Sequence, residues 1–280
     1  MSYKTILTVL PNPETARTLL PAAIAVAEQF GAHLTAIHIR QLYEMYPGAH
    51  GAISLRVYDQ LTQDTKRLAE ETRAVFDEAS AKTAATLEWR EEKAFLAGIP
   101  RKLTQSALRS DLIVMSARDG WSGDDLSTST LHDVILGTGR PVLMLPEDAQ
   151  PAAIGRNILL CWQPTREASA AAHNALPWLK TADLTTILTI ADSSSYSMEA
   201  ETEGHDLANM LARHDCKTEI RHITRQEPTI GAQILKEARI SGTDLIVMGA
   251  FGHNRLHDIF FTDATREVIR NTKLPVLFSG

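Results

Sequence analysis

The sequence predicts two doubly wound α/β domains in tandem, each a parallel sheet with helices on both faces. Three observations carry that expectation. Short apolar runs such as Leu112-Ile113-Val114-Met115 and Leu245-Ile246-Val247-Met248 suit strands covered on both faces. Strand-like and helix-like segments alternate along the whole chain, as parallel sheets with crossover helices require. The order then restarts. Arg156-Asn157-Ile158-Leu159-Leu160 answers Lys4-Thr5-Ile6-Leu7-Thr8, and Asp244-Leu245-Ile246-Val247-Met248 answers Asp111-Leu112-Ile113-Val114-Met115. A length of 280 residues suits two units of about 140 each. The spacing divides the chain into residues 1–147 and 155–280, with the linker between.

In the first unit, Thr5-Ile6-Leu7-Thr8-Val9-Leu10 reads as a strand stopped by Pro11-Asn12-Pro13. Ala16, Leu19, Leu20, Ala23, Ile24, Ala27 and Phe30 recur at helical spacing up to Gly31. Leu34-Thr35-Ala36-Ile37-His38-Ile39 is a second strand. Residues 40–58, with Tyr43, Tyr46 and Tyr58, are expected to form a long connection of the sort that carries function. Leu61, Leu68, Val75, Phe76 and Ala79 mark an amphipathic helix, and Thr86-Leu87-Glu88-Trp89 a short third strand. Pro100 suits a helix's first turn. After the 111–115 strand come a polar loop over 119–130, a helix around 132–137 and a last strand over 141–145. The second unit repeats this order. Its expected features include an acidic, Ser-rich link over 192–203, a glycine loop after Met248, a helix over 266–269 and a final strand over 274–278.

The bulk numbers exclude several classes. A net charge of −6 with no Lys/Arg run argues against a nucleic-acid or anionic-membrane surface. No apolar stretch approaches the ~20 residues of a membrane span, and the first residues do not resemble a secretion signal. Cys161 and Cys216 are the only cysteines, which excludes a disulfide framework and fits a cytoplasmic setting.

The functional signal lies past the second unit's fourth strand. Gly249 and Gly252 stand just beyond its carboxyl end, where open α/β sheets bind ligands and where a missing β-carbon lets a phosphate approach backbone N–H groups. The pattern Gly249-x2-Gly252-x9-Thr262-Asp263 resembles the signature of the universal stress protein family, Gly-x2-Gly-x9-Gly-(Ser/Thr). The preceding Asp-Leu-Ile-Val-Met run and the terminal Leu-Pro-Val-Leu resemble that family too, and the family resemblance covers essentially the whole chain, once per half. The resemblance implies two flavodoxin-like, adenine nucleotide alpha hydrolase-like domains packed as an internal pseudo-dimer through their last strands, with a homodimer of the whole chain also open. It implies that the glycine loop holds ATP, with Mg²⁺, as a cofactor. It places Gln163, Met248, Gly249, Gly252, Thr262, Asp263 and Thr265 in the binding site, Gln163 standing where nucleotide-binding members carry an Asp.

The departures open alternatives. Thr262 replaces a glycine, and a β-branched residue resists positive φ. Asp263 replaces a hydroxyl. A carboxylate ~5 Å from a phosphate is repelled by about 3 kcal/mol per charge at an effective dielectric near 20. That is a large share of the about 8 kcal/mol that a micromolar ligand has. Mg²⁺ or Arg255 would offset it; otherwise Asp263 is the N-cap of the helix over 266–269. The first unit has Ser116 and Asp119 at the glycine positions, then Asp124 and Asp125, and is not expected to bind ATP. Trp162 either stacks on a base or packs in the core. His253 and His257 lie four apart near Asp258; a metal site there needs a third ligand in good geometry, and the alternative is a set of solvent-facing polar residues. His38 reads as a structural histidine at a sheet edge, and 127–130 as a capping cluster. No nucleophile elbow, P-loop or Cys–His dyad appears, so catalysis is not expected. The readings left are a stress-response regulator with weak adenine-nucleotide binding in the second unit, a scaffold that binds partners without nucleotide, and, less favoured, a nucleotide-dependent enzyme.

Overall fold

The structure is a computed structural model and describes residues 2–44, 55–117, 127–146, 154–191, 197–250 and 259–280. The first repeat runs β1 (Thr5–Val9), α1 (Pro13–Phe30), β2 (His33–Leu42), α2 (Leu55–Ser80), β3 (Leu87–Phe95), α3 (Ile99–Ala107), β4 (Leu112–Ser116), α4 (Ser127–Thr138) and β5 (Val142–Leu145). The second runs β6 (Asn157–Cys161), α5 (Arg166–Asn174), α6 (Leu176–Leu179), β7 (Leu184–Ala191), α7 (Ser197–Ala212), β8 (Thr218–Thr224), α8 (Ile230–Ile240), β9 (Leu245–Gly249), α9 (Ile259–Asn271) and β10 (Val276–Ser279).

All ten strands join one sheet in the order β3-β2-β1-β4-β5-β10-β9-β6-β7-β8. Every pairing is parallel except β5 with β10, where Met144, Leu143 and Val142 face Val276, Leu277 and Phe278 in antiparallel register. The last strands therefore meet across the pseudo-twofold axis. Two apolar cores follow, one on each face of the sheet, and both run through the two repeats. α1, α2, α5 and α7 cover one face; α3, α4, α8 and α9 cover the other.

Local chemistry sets the element boundaries. Asn12 caps α1 by accepting from Thr15 N at 2.8 Å, and Gly31 ends it in the left-handed region. Thr165 and Thr229 cap α5 and α8 in the same way. Asp111 and Asp244 act as matched staples. Asp111 accepts from Lys4 N, Thr5 N and the Thr5 hydroxyl, while Asp244 accepts from Gly155 N, Arg156 N and Asn157 N. Each thus ties the start of its repeat's first strand to the start of the fourth.

The repeats are also bolted together by aromatic rings. Tyr3, Phe30 and Trp178 stack edge to face at 5.0 and 4.7 Å, linking α1 to α6. The Tyr3 hydroxyl donates to the Asn174 carbonyl at 2.5 Å, and Asn174 Nδ2 donates to Ser279 Oγ at 3.1 Å.

Several expected boundaries shift. β2 continues to Leu42 and α2 starts at Leu55, so the 40–58 connection is shorter than expected, and residues 45–54 lie outside the described residues. β3 extends to Phe95 rather than ending at Trp89, because nine residues pair with β2. The link over 192–203 is partly helix, since α7 starts at Ser197. α9 starts at Ile259 rather than near 266.

Candidate functional site

The sheet order fixes where a ligand crevice falls. β6 lies between β9 and β7. The helix leaving β6, α5, packs on one face, and α8, which leads into β9, packs on the other. The crossovers part between β6 and β9, and the crevice opens beyond the carboxyl ends of those two strands. Cys161, Trp162 and Gln163 lie on one side of it, and Met248, Gly249 and Ala250 on the other. β1 and β4 are the matching strands of the first repeat, with Leu10 and Pro11 following β1 and Ser116 and Ala117 at the end of β4.

Gln163 is half-buried, and its carbonyl accepts from Thr165 N at 2.7 Å, in the turn that starts α5. Trp162 is partly buried against the core, with its indole N–H enclosed and without a hydrogen-bond partner among the described residues. Met248 is 2% exposed and Thr265 fully buried, so both belong to the core beneath the crevice. Thr262 and Asp263 lie within α9, which corrects the reading of Asp263 as an N-cap: the helix has already begun at Ile259. A helical backbone is also one that threonine adopts without strain, so the glycine-to-threonine change at 262 needs no positive φ. Gly252, Arg255, His253, His257 and Asp258 lie outside the described residues, as do Asp119, Asp124 and Asp125 of the first repeat.

Gly249 gives the sharpest geometry. A β-carbon there would lie 2.6 Å from Ala168 N, 2.7 Å from Glu167 C and 2.9 Å from Glu167 Cβ. What approaches this glycine is the first turn of α5. The residue pairs with Ser279 of β10, and Ala250 N donates to the Ser279 carbonyl at 2.8 Å. Glu167, whose side chain is largely buried, brings a carboxylate to the positive end of α5. Sequence reasoning missed Glu167. The available signal was an acid two residues after the capping Thr165, a first-turn preference with no bearing on a crevice until the fold is known.

Other candidates divide clearly. Burial pushes the Cys161 thiol up to about 12, so it is protonated at neutral pH. Among the described residues no group of three His, Cys, Asp or Glu side chains could hold a metal ion. No described helix is long and apolar enough to cross a membrane.

The fold and its duplicated crevice define a tandem, doubly wound α/β protein whose two halves share one sheet. The chain belongs to the Universal stress protein family, which matches it twice, over residues 2–146 and 156–279. No curated protein matches the chain. Among solved structures, a universal stress protein from Archaeoglobus fulgidus DSM 4304 is similar with a TM-score of 0.68 and 11% identity, over 98% of this chain and 95% of that one. A putative universal stress protein from Pseudomonas aeruginosa UCBPP-PA14 is similar with a TM-score of 0.57 and 15% identity, over 99% and 93%. A functionally unknown protein from Pseudomonas aeruginosa PAO1 has a TM-score of 0.57 and 14% identity, over 99% and 92%. At such identities the likeness is one of fold.

Proposed function

We propose that the chain is a stress-response regulator whose second repeat holds ATP or another adenine nucleotide weakly, between the carboxyl ends of β6 and β9. The supporting observation is that Gln163, two residues past the end of β6, and Gly249, the last residue of β9, are both half-buried at the carboxyl ends of neighbouring strands. Gly249 and Gly252 would cradle phosphates, and Gln163 would face the base. Thr262 and Asp263, in the first turns of α9, would border the nucleotide, with Met248 and Thr265 supporting the site from the core. A bound Mg²⁺ would offset the Asp263 charge. The two free cysteines suit a cytoplasmic setting. Regulation, rather than turnover, is the activity assigned. Equilibrium dialysis with Mg-ATP tests the reading. Binding in the micromolar range, about 8 kcal/mol, that disappears in Gly252→Val is the expected result. No binding at millimolar nucleotide overturns it.

One observation favours a second reading, a scaffold that binds partners without nucleotide. The close seat of α5 on Gly249 already accounts for that glycine without a phosphate. An adenine nucleotide found in the purified protein by native mass spectrometry would dismiss the scaffold.

A further inference from the structure

His38 takes no part in the function proposed above. Its ring is 1% exposed, on the sheet face that α1 and α2 cover. Nδ1–H donates to the Leu10 carbonyl at 2.8 Å, which leaves Nε2 as a bare acceptor. Nε2 is enclosed and has no hydrogen-bond partner among the described residues. The ring stacks on Trp89 of β3 at 6.0 Å and 12°. Trp89 leans on Phe76 of α2 at 5.4 Å, and the Arg73 guanidinium lies 5.5 and 5.9 Å from those two rings.

The charged surroundings are lopsided. β2 contributes Arg40, and β3 contributes Glu91, which stands opposite His38 in register but is engaged by Arg40 at 3.1 Å. α2 contributes Arg73, while the charged residues of α1, Glu14, Arg17 and Glu28, are exposed. Leu10, the residue after β1, offers its carbonyl, which is already used. A second proton on the ring would therefore put an N–H⁺ into dry surroundings with no acceptor. Burial outweighs the help from the Leu10 carbonyl and Glu91, and holds the pKa below the ordinary histidine value.

We propose that His38 is an acid-operated latch on the outer layer of the first repeat: a second proton on its ring releases β3 and α2 from the sheet. β3 is the layer free to leave, because it is an edge strand paired only with β2. The second repeat is arranged differently, with its histidine on the edge strand at His222, whose Nε2 is likewise enclosed without a partner among the described residues. By register, Thr189 stands where His38 does, and its hydroxyl shares a 2.8 Å hydrogen bond with Nδ1 of the less buried His222.

The sign follows from linkage. A histidine whose folded pKa is depressed takes up its proton more readily in the opened form. Stability is then full above the unfolded value, near 6.5, and falls as the pH drops toward the folded value. Across that window each pH unit multiplies the opening constant about tenfold. Hydrogen exchange with peptide-resolved mass spectrometry, corrected for intrinsic rates, tests this from pH 7 to 4.5. Peptides within 55–80 and 87–95 should exchange about tenfold faster per unit below 6.5, and peptides within 230–240 should not. His38→Asn, which keeps an amide donor for Leu10 and cannot titrate, should flatten the response. A response that persists in His38→Asn, or that peptides within 230–240 share, overturns the proposal. So does a His38 Cε1 resonance of the intact protein titrating at or above 6.5.

Discussion

Replacing Gly249 by alanine probes how the second crevice is built. The added β-carbon meets two backbone atoms and one β-carbon of α5, at 2.6 to 2.9 Å. None of the three is the tip of a flexible side chain, so rotamer changes bring no relief. α5 must withdraw by roughly half an ångström, or the end of β9 must bend away from β10. Overpacking of this kind costs about 1–3 kcal/mol. In a chain of this size about 2 kcal/mol lowers Tm by roughly 4–8 °C. Differential scanning calorimetry without nucleotide, supported by urea unfolding, measures it. A Tm within ~1 °C of wild type would refute the argument, because α5 would then not be seated on Gly249. Loss of nucleotide binding without loss of stability would return this glycine to a phosphate-facing role.

Three further perturbations test the scaffold. Tyr3→Phe removes the hydroxyl that donates to Asn174 and keeps the ring between the repeats, so unfolding should cost about 1 kcal/mol less by urea titration. Gly155→Ala demands φ +84 of an alanine and puts its β-carbon 2.4 Å from the Trp178 ring; about 3 kcal/mol or more should be lost, seen as a lower urea midpoint at unchanged slope. For Asp111, partial burial pushes the carboxyl up, but the hydrogen bonds from Lys4 and Thr5, with Arg140, outweigh it and hold the pKa below 3.8. That stabilisation is present above the unfolded value and lost as pH falls through the folded one. Asp111→Asn should therefore melt below wild type at pH 6, and the two Tm curves should converge as the pH falls below 3.8.

The duplication was legible because its carriers are buried apolar runs, and a strand covered on both faces leaves little freedom in composition. The Leu112 and Leu245 runs announce themselves for that reason. Boundaries were legible only where such pressure acts. β3 beyond Trp89 reads Arg90-Glu91-Glu92-Lys93, and an edge strand with polar residues on both faces gives no apolar alternation to detect. The start of α9 is not legible, because the glycine signature reads as loop through 262 and 263 while the helix begins at Ile259. The sequence marks Gly249 as a place where a missing β-carbon lets a phosphate approach; within the protein, what packs against it is the first turn of α5, a neighbour that only the fold brings there. Asp111 and Asp244 looked like strand openers; their stapling bonds join segments that lie about a hundred residues apart in the chain.

The antiparallel seam between β5 and β10 has a consequence for heredity. Two identical copies meeting along such a seam would carry every substitution twice, so neither half could specialise without the other. Joined in one polypeptide, the halves stay associated at any dilution, because their meeting is intramolecular. Each then mutates alone. Gly249 ends β9 where Ser116 ends β4, and His38 stands where the other half has Thr189. One gene thus encodes a symmetric frame with two independently editable faces.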